Sequence, residues 1–379
     1  MKHFSIPLFL LILLLITACT SSELAYPKKQ SVKNVMKEVA DWQIRNFEYA
    51  EEGSAGYLHD YGIDAWTNAV FYIGLEEYAK ISETREDYYN WLNDIGSKCS
   101  WKLPENFADI PAYSLYHADE YCVGQMFLAL AEAKKCEDMR IPTQQRLDWI
   151  ISSFNDQQLK GKKWWSWCDA LFMAPPVYAR MASLTGDEKY LEFMDSEFKR
   201  TYNSLYNKDE RLFFRDKSYF EKRELNGEKI FWGRGNGWVA AGIVNILKTL
   251  PTDSSYRSFY EDLLREHVSR LVELADTNGS WHASLLDPEN YPAPEASASA
   301  LITYALAYGI NEGVIDKKVY TPLLLKSWNA LVAMVGDDGK LGWVQPIGAD
   351  PKSVTEDMTA VYGAGAFLMA GTEIYRLSK

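Results

Sequence analysis

Along most of the chain, apolar residues recur with the period of an α-helix, and the strict alternation that is typical of β-strands is scarce. Six stretches open with a polar or aromatic cluster and continue through small and apolar residues. They begin near Trp66, Asp119, Asp169, Arg234, Glu295 and Asp357. The pattern therefore predicts six largely apolar helices.

Each of the first five apolar helices is followed by a turn and a more charged helix. The predicted partners are Arg85–Ser97, Pro142–Phe154, Asp187–Tyr202, Ser255–Ala275 and Lys317–Met334. The sixth apolar helix ends the chain, and Ser31–Asn46 at the N-terminus is available as its partner. A repeat of roughly fifty to sixty residues is longer than the usual helical repeat units.

Apolar helices joined to more amphipathic ones indicate an inner ring surrounded by an outer ring. We therefore predict an all-α fold, an (α/α)6 barrel of six helical hairpins that forms a single domain. An open helical solenoid is the competing architecture, although it would need capping repeats that a closed ring does not need. If the inner helices are parallel, the loops before them meet at one end of the barrel, the mouth, where helix N-termini favour an anion.

Composition narrows the functions that such a barrel can have. The 379 residues carry a net charge of −12 and no long cluster of Lys and Arg, which argues against nucleic acid as a partner. The five His are scattered, and neither HExxH nor CxxC occurs, so no metal site is predicted. The 13 Trp and 24 Tyr suit a core and also suit faces that stack on sugar rings.

The N-terminus has the order of a secretory signal, with a basic start, a short apolar run and then small residues. The sequence ITAC, which ends at Cys19, resembles a bacterial lipobox. We predict a lipoprotein signal peptide over 1–18, lipidation of Cys19, a polar tether over 19–30 and the barrel over 31–379. The protein would then lie in the bacterial cell envelope and touch the membrane only through its lipid. Plain secretion after cleavage nearby is the alternative.

Two motifs place carboxylates at the start of apolar helices. WWSWCDALFMAPP, which begins at Trp164, puts Asp169 between three tryptophans and an apolar run, and HADEYCVGQ holds Asp119 and Glu120. A nearby carboxylate and poor hydration both raise a carboxyl pKa, and an acid that is protonated near neutral pH can act as a general acid. The alternative for Asp169 is a helix N-cap, a position that Asp often fills.

The turn FWGRGNGWV precedes another apolar helix. Its glycines, Gly233, Gly235 and Gly237, let the backbone approach a ligand closely. Arg234 offers a fork of donors that matches a carboxylate, and Trp238 offers a stacking face. The turn is no dinucleotide fingerprint, because no strand–helix–strand unit surrounds it. A purely structural turn is the alternative.

Together these motifs resemble those of the unsaturated glucuronyl and rhamnogalacturonyl hydrolases, family 105 of the glycoside hydrolases, which is related to family 88. The resemblance rests on WxWCDALFMAPP, WGRGNGW, an ADEYxVGQ-like segment and LLDPxxYPxPE, and it covers nearly the whole mature chain. It implies an (α/α)6 barrel. It also implies that the partners are oligosaccharides with a C4=C5 unsaturated uronate at the nonreducing end, and that no metal or organic cofactor is required.

The resemblance implies a reaction that begins at the double bond. An Asp protonates C4, the same or a paired carboxylate activates a water that adds at C5, and the resulting hemiketal rearranges and expels the neighbouring sugar. Matched by motif, Asp169 is the catalytic acid/base and Asp119 the assisting carboxylate, with Glu120 as the alternative to Asp119. An ordinary inverting glycosidase, in which water attacks the anomeric carbon, is the competing mechanism.

Candidate substrate-binding residues come from the motifs and from the predicted mouth. They are Trp167, Met173, Arg234, Trp238, Trp66 and Asn68, with Arg234 near the uronate. Many relatives carry a His shortly upstream of WGRGNGW, whereas this chain reads LFFRDKSYF, so Arg215 and Tyr219 are expected to take its place.

The same departure leads us to favour unsaturated glucuronyl substrates. An unsaturated rhamnogalacturonyl hydrolase that acts on pectin fragments and a non-catalytic glycan-binding lipoprotein are the alternatives. The loops Trp281–Ala300 and Leu341–Pro351 either pack the rim or contact the leaving sugar. No oligomer is predicted.

Overall fold

The computed structural model describes residues 25–47, 62–104, 117–153 and 164–379. Helices dominate this part of the chain, and none of those described is long and apolar enough to cross a membrane. The α-helices are α1 (Lys29–Arg45), α2 (Trp66–Ala79), α3 (Arg85–Lys98), α4 (Cys122–Lys134), α5 (Glu137–Ser153), α6 (Ala170–Met173), α7 (Pro175–Thr185), α8 (Lys189–Leu205), α9 (Gly233–Leu247), α10 (Arg257–Glu273), α11 (Ala296–Asn311), α12 (Lys317–Ala333) and α13 (Val361–Leu377). The shorter elements are two 3-10 turns (Ala118–Tyr121 and Lys217–Tyr219) and the antiparallel strands β1 (Tyr206–Asn207) and β2 (Leu212–Phe213).

The inner helices form a closed ring. α2 packs on α4, α4 on α7, and α9 on both α6 and α7. α11 then packs on α9, and α13 packs on α11 and returns to α2. This closure confirms the predicted (α/α)6 barrel and rules out the open solenoid.

An outer helix packs on each segment of this ring. α3 packs on α2, α5 on α4, α8 on α7, α10 on α9 and α12 on α11. α1 packs on α13, so the N-terminal helix is the sixth outer partner, as predicted. The backbone N–H of Lys29 donates to the carbonyl of Lys379 at 3.1 Å, and the N–H of Lys379 donates to the carbonyl of Pro27 at 3.4 Å. The start of α1 therefore lies beside the end of α13.

The predicted signal peptide and Cys19 lie outside the described residues, so lipidation and an envelope location stay predictions. α1 begins at Lys29, inside the segment 19–30 that was predicted as a tether. The first helical turn of the barrel therefore starts two residues before the predicted boundary at residue 31.

Glycines allow the ring to close. A Cβ added to Gly74 of α2 would lie 2.2 Å from the carbonyl oxygen of Gly365 in α13, and one added to Gly365 would lie 2.2 Å from that of Val70. Real Cβ atoms never come so close, so any side chain at either position would push the two helices apart. α2 and α13 therefore meet backbone against backbone.

Aromatic contacts join the N-terminal ends of the inner helices. Trp66 at the start of α2 stacks on Tyr362 of α13 with 5.4 Å between ring centroids. Trp238 in the second turn of α9 meets Trp66 edge-on at 6.2 Å and packs on Phe172 of α6 at 4.8 Å. The inner helices are therefore parallel, and the mouth lies where they begin.

Two inner helices begin later than the sequence analysis expected. Asp119 lies in a 3-10 turn, and α4 begins only at Cys122. Asp357 is exposed in a loop, and α13 begins at Val361. Asp357 therefore lies in the loop before the last inner helix, and the glycine-rich run that packs into the ring starts after it.

Adjacent prolines divide one inner helix into α6 and α7. Pro176 has no N–H to donate to the carbonyl of Phe172, which would be its partner in a continuous helix. Gln125 of α4 supplies the missing donor, with its Nε2 2.8 Å from that carbonyl oxygen. Gln125 in turn accepts from Asn245 of α9 at 3.0 Å, and Asn245 accepts from the Tyr304 hydroxyl of α11 at 2.8 Å. Side chains of three neighbouring helices therefore hold α6 in place.

The opposite end of the barrel, the closed end, is built around a buried ion-pair cluster. Nζ of Lys248, just after α9, lies 2.6 Å from Glu77 of α2 and 3.2 Å from Glu373 of α13. Burial disfavours the charge on Glu77, but the ammonium groups of Lys248 and Lys80 hold the pKa of Glu77 well below its usual range. Cations are also favoured where helices end, so this lysine stabilises several C-terminal ends at once.

We expect Lys248→Met to lower the free energy of unfolding by about 3 kcal/mol at pH 7, because it leaves buried carboxylates without their shared cation. The pKa of Glu77 is lowered by folding, so its contribution is present above the unfolded pKa of about 4.3 and is lost as the pH falls. The difference between variant and wild type should therefore be full at pH 7 and should shrink only as the pH falls below about 4, for example to about 3, towards the lowered folded-state pKa. Urea denaturation at both pH values measures it.

The matched control is Lys199→Met, which removes a more exposed lysine that pairs with Asp195 one helical turn away. Its cost should stay below about 1 kcal/mol. Equal losses in the two variants would contradict a special role for Lys248 at the closed end.

Candidate active site

Asp169 is buried at the mouth, directly before α6, with only 8% of its surface exposed. Its backbone is already helical, with φ −62° and ψ −26°, and its side chain accepts no capping bond from the described helix. An N-cap residue needs a non-helical backbone so that its side chain can reach back to the N–H groups. The N-cap alternative for Asp169 therefore fails, and the carboxyl group is available for other work.

Glu295, which also precedes an inner helix, shows what capping looks like in this fold. It has an extended backbone and accepts from the N–H groups of Ser297 and Ala298. It also accepts from the backbone N–H of Gln345 at 2.9 Å. Glu295 is therefore a structural carboxylate, although its position in the sequence resembles that of Asp169.

The surroundings of Asp169 favour its neutral, protonated form more strongly than water does for an exposed carboxyl group. Burial raises the pKa of Asp169, while the guanidinium of Arg215, a hydrogen bond from Cys168 and the guanidinium of Arg234 act in the opposite direction. Of the two causes that the sequence suggested, burial is the main one, and no second carboxylate is among the groups that raise the pKa of Asp169. Asp169 is thus a carboxyl group that can both hold and release a proton.

The three tryptophans before Asp169 have different positions. Trp164 and Trp165 stack on each other at 5.2 Å, and Trp164 donates to Glu197 of the outer helix α8 at 2.6 Å. These two rings belong to the packing between inner and outer helices. Trp167 instead lies against the ring of His117, with 4.7 Å between centroids, beside the candidate acid.

Asp119 and Glu120 lie in different surroundings. The backbone N–H of Asp119 donates to Nδ1 of His117 at 3.4 Å, and its carboxylate lies 3.6 Å from the same nitrogen. Asp119 is therefore linked through His117 to Trp167, close to Asp169 along the chain. The sequence analysis missed His117, although the HADEY segment begins with it.

Glu120 is a buried carboxyl group with a large pKa shift. Burial, together with the charges of Asp119 and Asp64, raises the pKa of Glu120 to about 8. The opposing cation is Arg146, on the outer helix α5. At neutral pH Glu120 is therefore mostly neutral, and its charged neighbours include groups from α5 and from the loop before α2.

The segment that replaces the expected histidine lies beside Asp169. The carbonyl of Arg215 accepts from the backbone N–H of Cys168 at 2.8 Å, and its guanidinium pairs with Asp216 at 2.5 Å. Nε of Arg215 is buried without a hydrogen-bond partner among the described residues. Burial raises the pKa of Tyr219 to about 12, and Asp169 is among the charges that act on it.

Arg234 is fully buried, and both of its Nη atoms already donate a hydrogen bond. Its Nη1 and Nη2 donate to the carbonyls of Gln345 and Pro346 at 2.5 and 3.0 Å. The guanidinium lies over the rings of Trp232 and Tyr362 at 4.5 and 4.9 Å. The fork that was expected to face a uronate instead holds the loop Leu341–Pro351, and only Nε lacks a partner in the described part of the chain.

The remaining predicted residues are mostly packed. Trp238 and Met173 are buried, and Nε1 of Trp238 has no partner among the residues described. Asn68 donates to the carbonyl of Gly62 at 2.9 Å and so fixes the turn before α2. Trp66 is partly exposed and keeps surface that a sugar ring could cover. The described residues contain no cluster of three or more His, Cys, Asp or Glu that could hold a metal ion.

We expect Arg234→Lys to lower the free energy of unfolding by about 2 kcal/mol, because a single ammonium cannot replace two guanidinium bonds to buried carbonyls. Thermal and urea denaturation measure the loss. Arg223→Lys is the control, because Arg223 also donates to two backbone carbonyls, those of Phe220 and Lys222, but is exposed. An unchanged melting temperature in Arg234→Lys would show that the loop does not depend on this side chain.

Comparisons with known proteins agree with this geometry. The family model described as Glycosyl Hydrolase Family 88 matches residues 29–378. The unsaturated 3S-rhamnoglycuronyl hydrolase of Formosa agariphila is 37% identical over 330 residues, which cover 83% of this chain and 85% of that protein. The protein of the same name from Alteromonas sp. (strain LOR) is 33% identical over 365 residues and covers 91% and 86%. A solved structure of a glycosyl hydrolase family 88 protein from Bacteroides vulgatus has a TM-score of 0.82 at 26% identity and covers 92% of this chain and 99% of that one.

Proposed function

The chain belongs to glycosyl hydrolase family 88 and is a glycoside hydrolase, and on this premise we propose that it removes a terminal 4,5-unsaturated uronic acid, glucuronyl in origin, from lyase-generated oligosaccharides. Membership of this family confirms the resemblance drawn from the motifs. The observation that carries the proposal is the buried carboxyl group of Asp169, which does not cap the described helix and is under the electrostatic influence of the Arg215 and Arg234 guanidinium groups.

In the proposed reaction Asp169 gives its proton to C4 of the vinyl ether. Positive charge then develops at C5 and the ring oxygen, and water adds its oxygen to C5 while a carboxylate takes the released proton. The hemiketal at C5 opens to a ketone, the bond from C1 to the leaving sugar breaks, and that sugar departs with a proton. One water is consumed in total, as in any glycoside hydrolysis.

Asp119 is the better candidate for the carboxylate that assists. It lies beside His117 and Trp167, and its side chain keeps 22% of its surface exposed, so water can reach it. Glu120 is largely neutral near pH 7, and a neutral carboxyl group is a poor base. The geometry therefore supports Asp119 in the assisting role and Glu120 as its neighbour.

Attraction of the substrate carboxylate requires local positive charge, because the chain as a whole carries −12. Arg215 supports this role, since its guanidinium acts on Asp169 and its Nε has no partner among the described residues. The N-terminal ends of the inner helices add partial positive charge. Arg234 contributes its charge, but both of its Nη atoms already donate to backbone carbonyls.

The names of the relatives support a uronic acid (glycuronyl) group attached to rhamnose. Two proteins that align with most of the chain are called unsaturated 3S-rhamnoglycuronyl hydrolases. The absence of the expected histidine in the Arg215 segment points the same way, away from the pectin enzymes. We therefore propose rhamnose as the sugar that leaves.

The consumption of the C4=C5 bond is followed as a loss of ultraviolet absorbance. Asp169→Asn should lower the rate of this loss by about a thousandfold or more, because it removes the acid. Asp119→Asn should lower the rate by about a hundredfold. Glu120→Gln is the matched control. Since the pKa of Glu120 is raised to about 8, an amide mimics its neutral form and should preserve activity at pH 6.5.

Isotopes test the reaction type in the same assay. In D2O, hydration places one deuterium on C4 during the first turnovers. In heavy-oxygen water, hydration places the oxygen label on C5. Label on the anomeric carbon would instead identify an ordinary inverting glycosidase. Tight binding without any loss of absorbance would identify a non-catalytic glycan-binding protein.

Substrate preference is tested with lyase digests of ulvan, pectin, arabinogalactan and glycosaminoglycans. We expect products with an unsaturated glucuronyl group on rhamnose to give a kcat/KM at least about tenfold above the others, since a site that pairs with a specific sugar discriminates on this scale or more. Exclusive activity on rhamnogalacturonan products would overturn the glucuronyl assignment.

A further inference from the structure

The thiol of Cys168 lies against the candidate acid. Sγ is 3.1 Å from Oδ1 of Asp169, and Cys168 is fully buried. A thiol is a weak donor and a weaker acceptor, so the contact is an S–H···O hydrogen bond towards the carboxyl oxygen. Nothing in the general mechanism of this hydrolysis requires a thiol at this position.

The backbone around Cys168 fixes the position of the thiol. The N–H of Cys168 donates to the carbonyl of Arg215 at 2.8 Å, and the carbonyl of Cys168 accepts from Leu171 at 3.0 Å. The first bond ties the residue to the segment after β2, and the second places it in the first turn of α6. Both backbone polar groups of Cys168 are therefore held by hydrogen bonds.

The first turn of α9 lies close to the thiol. A Cβ added to Gly235 would lie 3.0 Å from Sγ of Cys168 and 3.4 Å from Oδ1 of Asp169. It would also lie 3.0 Å from the Trp232 ring. A side chain at Gly235 would therefore force this pair or the ring to move by a few tenths of an ångström, which gives the GRGNG turn a reason to have glycine here.

We propose that Cys168 is a positioning residue that occupies Oδ1 of Asp169 and thereby leaves the acid proton on Oδ2. The inference rests on the proposed function, in which Asp169 protonates C4. A protonated Oδ1 is a poorer acceptor than an unprotonated carbonyl oxygen, so the S–H donor favours the proton on the other oxygen. When the proton stays on one oxygen, a larger fraction of the bound substrate has the acid proton in the orientation that reacts with C4.

A thiol suits this task because it adds no charge. The groups that face Asp169 and Cys168 are Arg215 and Asp216 from the segment after β2, Arg234 from α9, and Tyr219 from the 3-10 turn. Two guanidiniums already favour the ionised form of Asp169. A further cation would lower its pKa until the acid had no proton to give, whereas a weak neutral donor orients the carboxyl group at small electrostatic cost.

The test compares wild type with Cys168→Ala, which removes the donor, and Cys168→Ser, which keeps one. The hydrogen bond favours the carboxylate, so its loss raises the pKa of Asp169 and moves the basic limb of the kcat/KM profile to higher pH, by about half a unit to one unit. We also expect kcat on the plateau to fall about three- to tenfold with little change in KM. Cys168→Ser should stay within about 0.3 of a unit of wild type.

A second readout needs no activity and no alanine variant. The Raman S–H stretching band that Cys168→Ser removes belongs to Cys168, and a bonded thiol gives a lower frequency than a free one. That band should shift as Asp169 titrates. An inactive wild type with a titrating, low-frequency band would overturn the proposed function alone. A free-thiol frequency in an active enzyme, or basic limbs that coincide in wild type and Cys168→Ala, would overturn the role of Cys168.

Discussion

The return of α13 onto α2 is the contact on which the rest of the structure depends. Gly74 and Gly365 let the two backbones touch, and only this approach closes six hairpins into a ring. Closure with parallel inner helices gathers their N-terminal ends at the mouth and their C-terminal ends opposite. The two ends then need opposite charges, so Lys248 serves the closed end while the mouth tolerates a buried carboxyl group.

Periodicity was enough to predict the barrel, including the pairing of α1 with the last inner helix, because burial on all sides leaves a clear apolar pattern. It could not distinguish Asp169 from Glu295, since each is an acid directly before an inner helix. Backbone angles separate them: Glu295 has φ −111° and ψ 112° and caps α11, whereas Asp169 is already helical and does not cap the described helix. Such angles follow from tertiary packing, which a single sequence does not record.

Arg234 shows the same limit for contacts that span the chain. The sequence displays the donor, but its acceptors are the carbonyls of Gln345 and Pro346, more than a hundred residues further on. Every residue has a backbone carbonyl, so a sequence does not show which carbonyls accept a hydrogen bond. A negatively charged ligand was therefore the partner that the sequence suggested for the guanidinium. Gln125, which serves the carbonyl freed by Pro176, was hidden for the same reason.

The contact between Lys29 and Lys379 also determines where the described chain enters and leaves the barrel. α13 runs from the mouth to the closed end, so the chain enters α1 at the closed end, beside its own last residue. Both ends of the described barrel therefore lie away from the mouth, and the backbone bonds between them join the first and last helices at the end opposite Asp169.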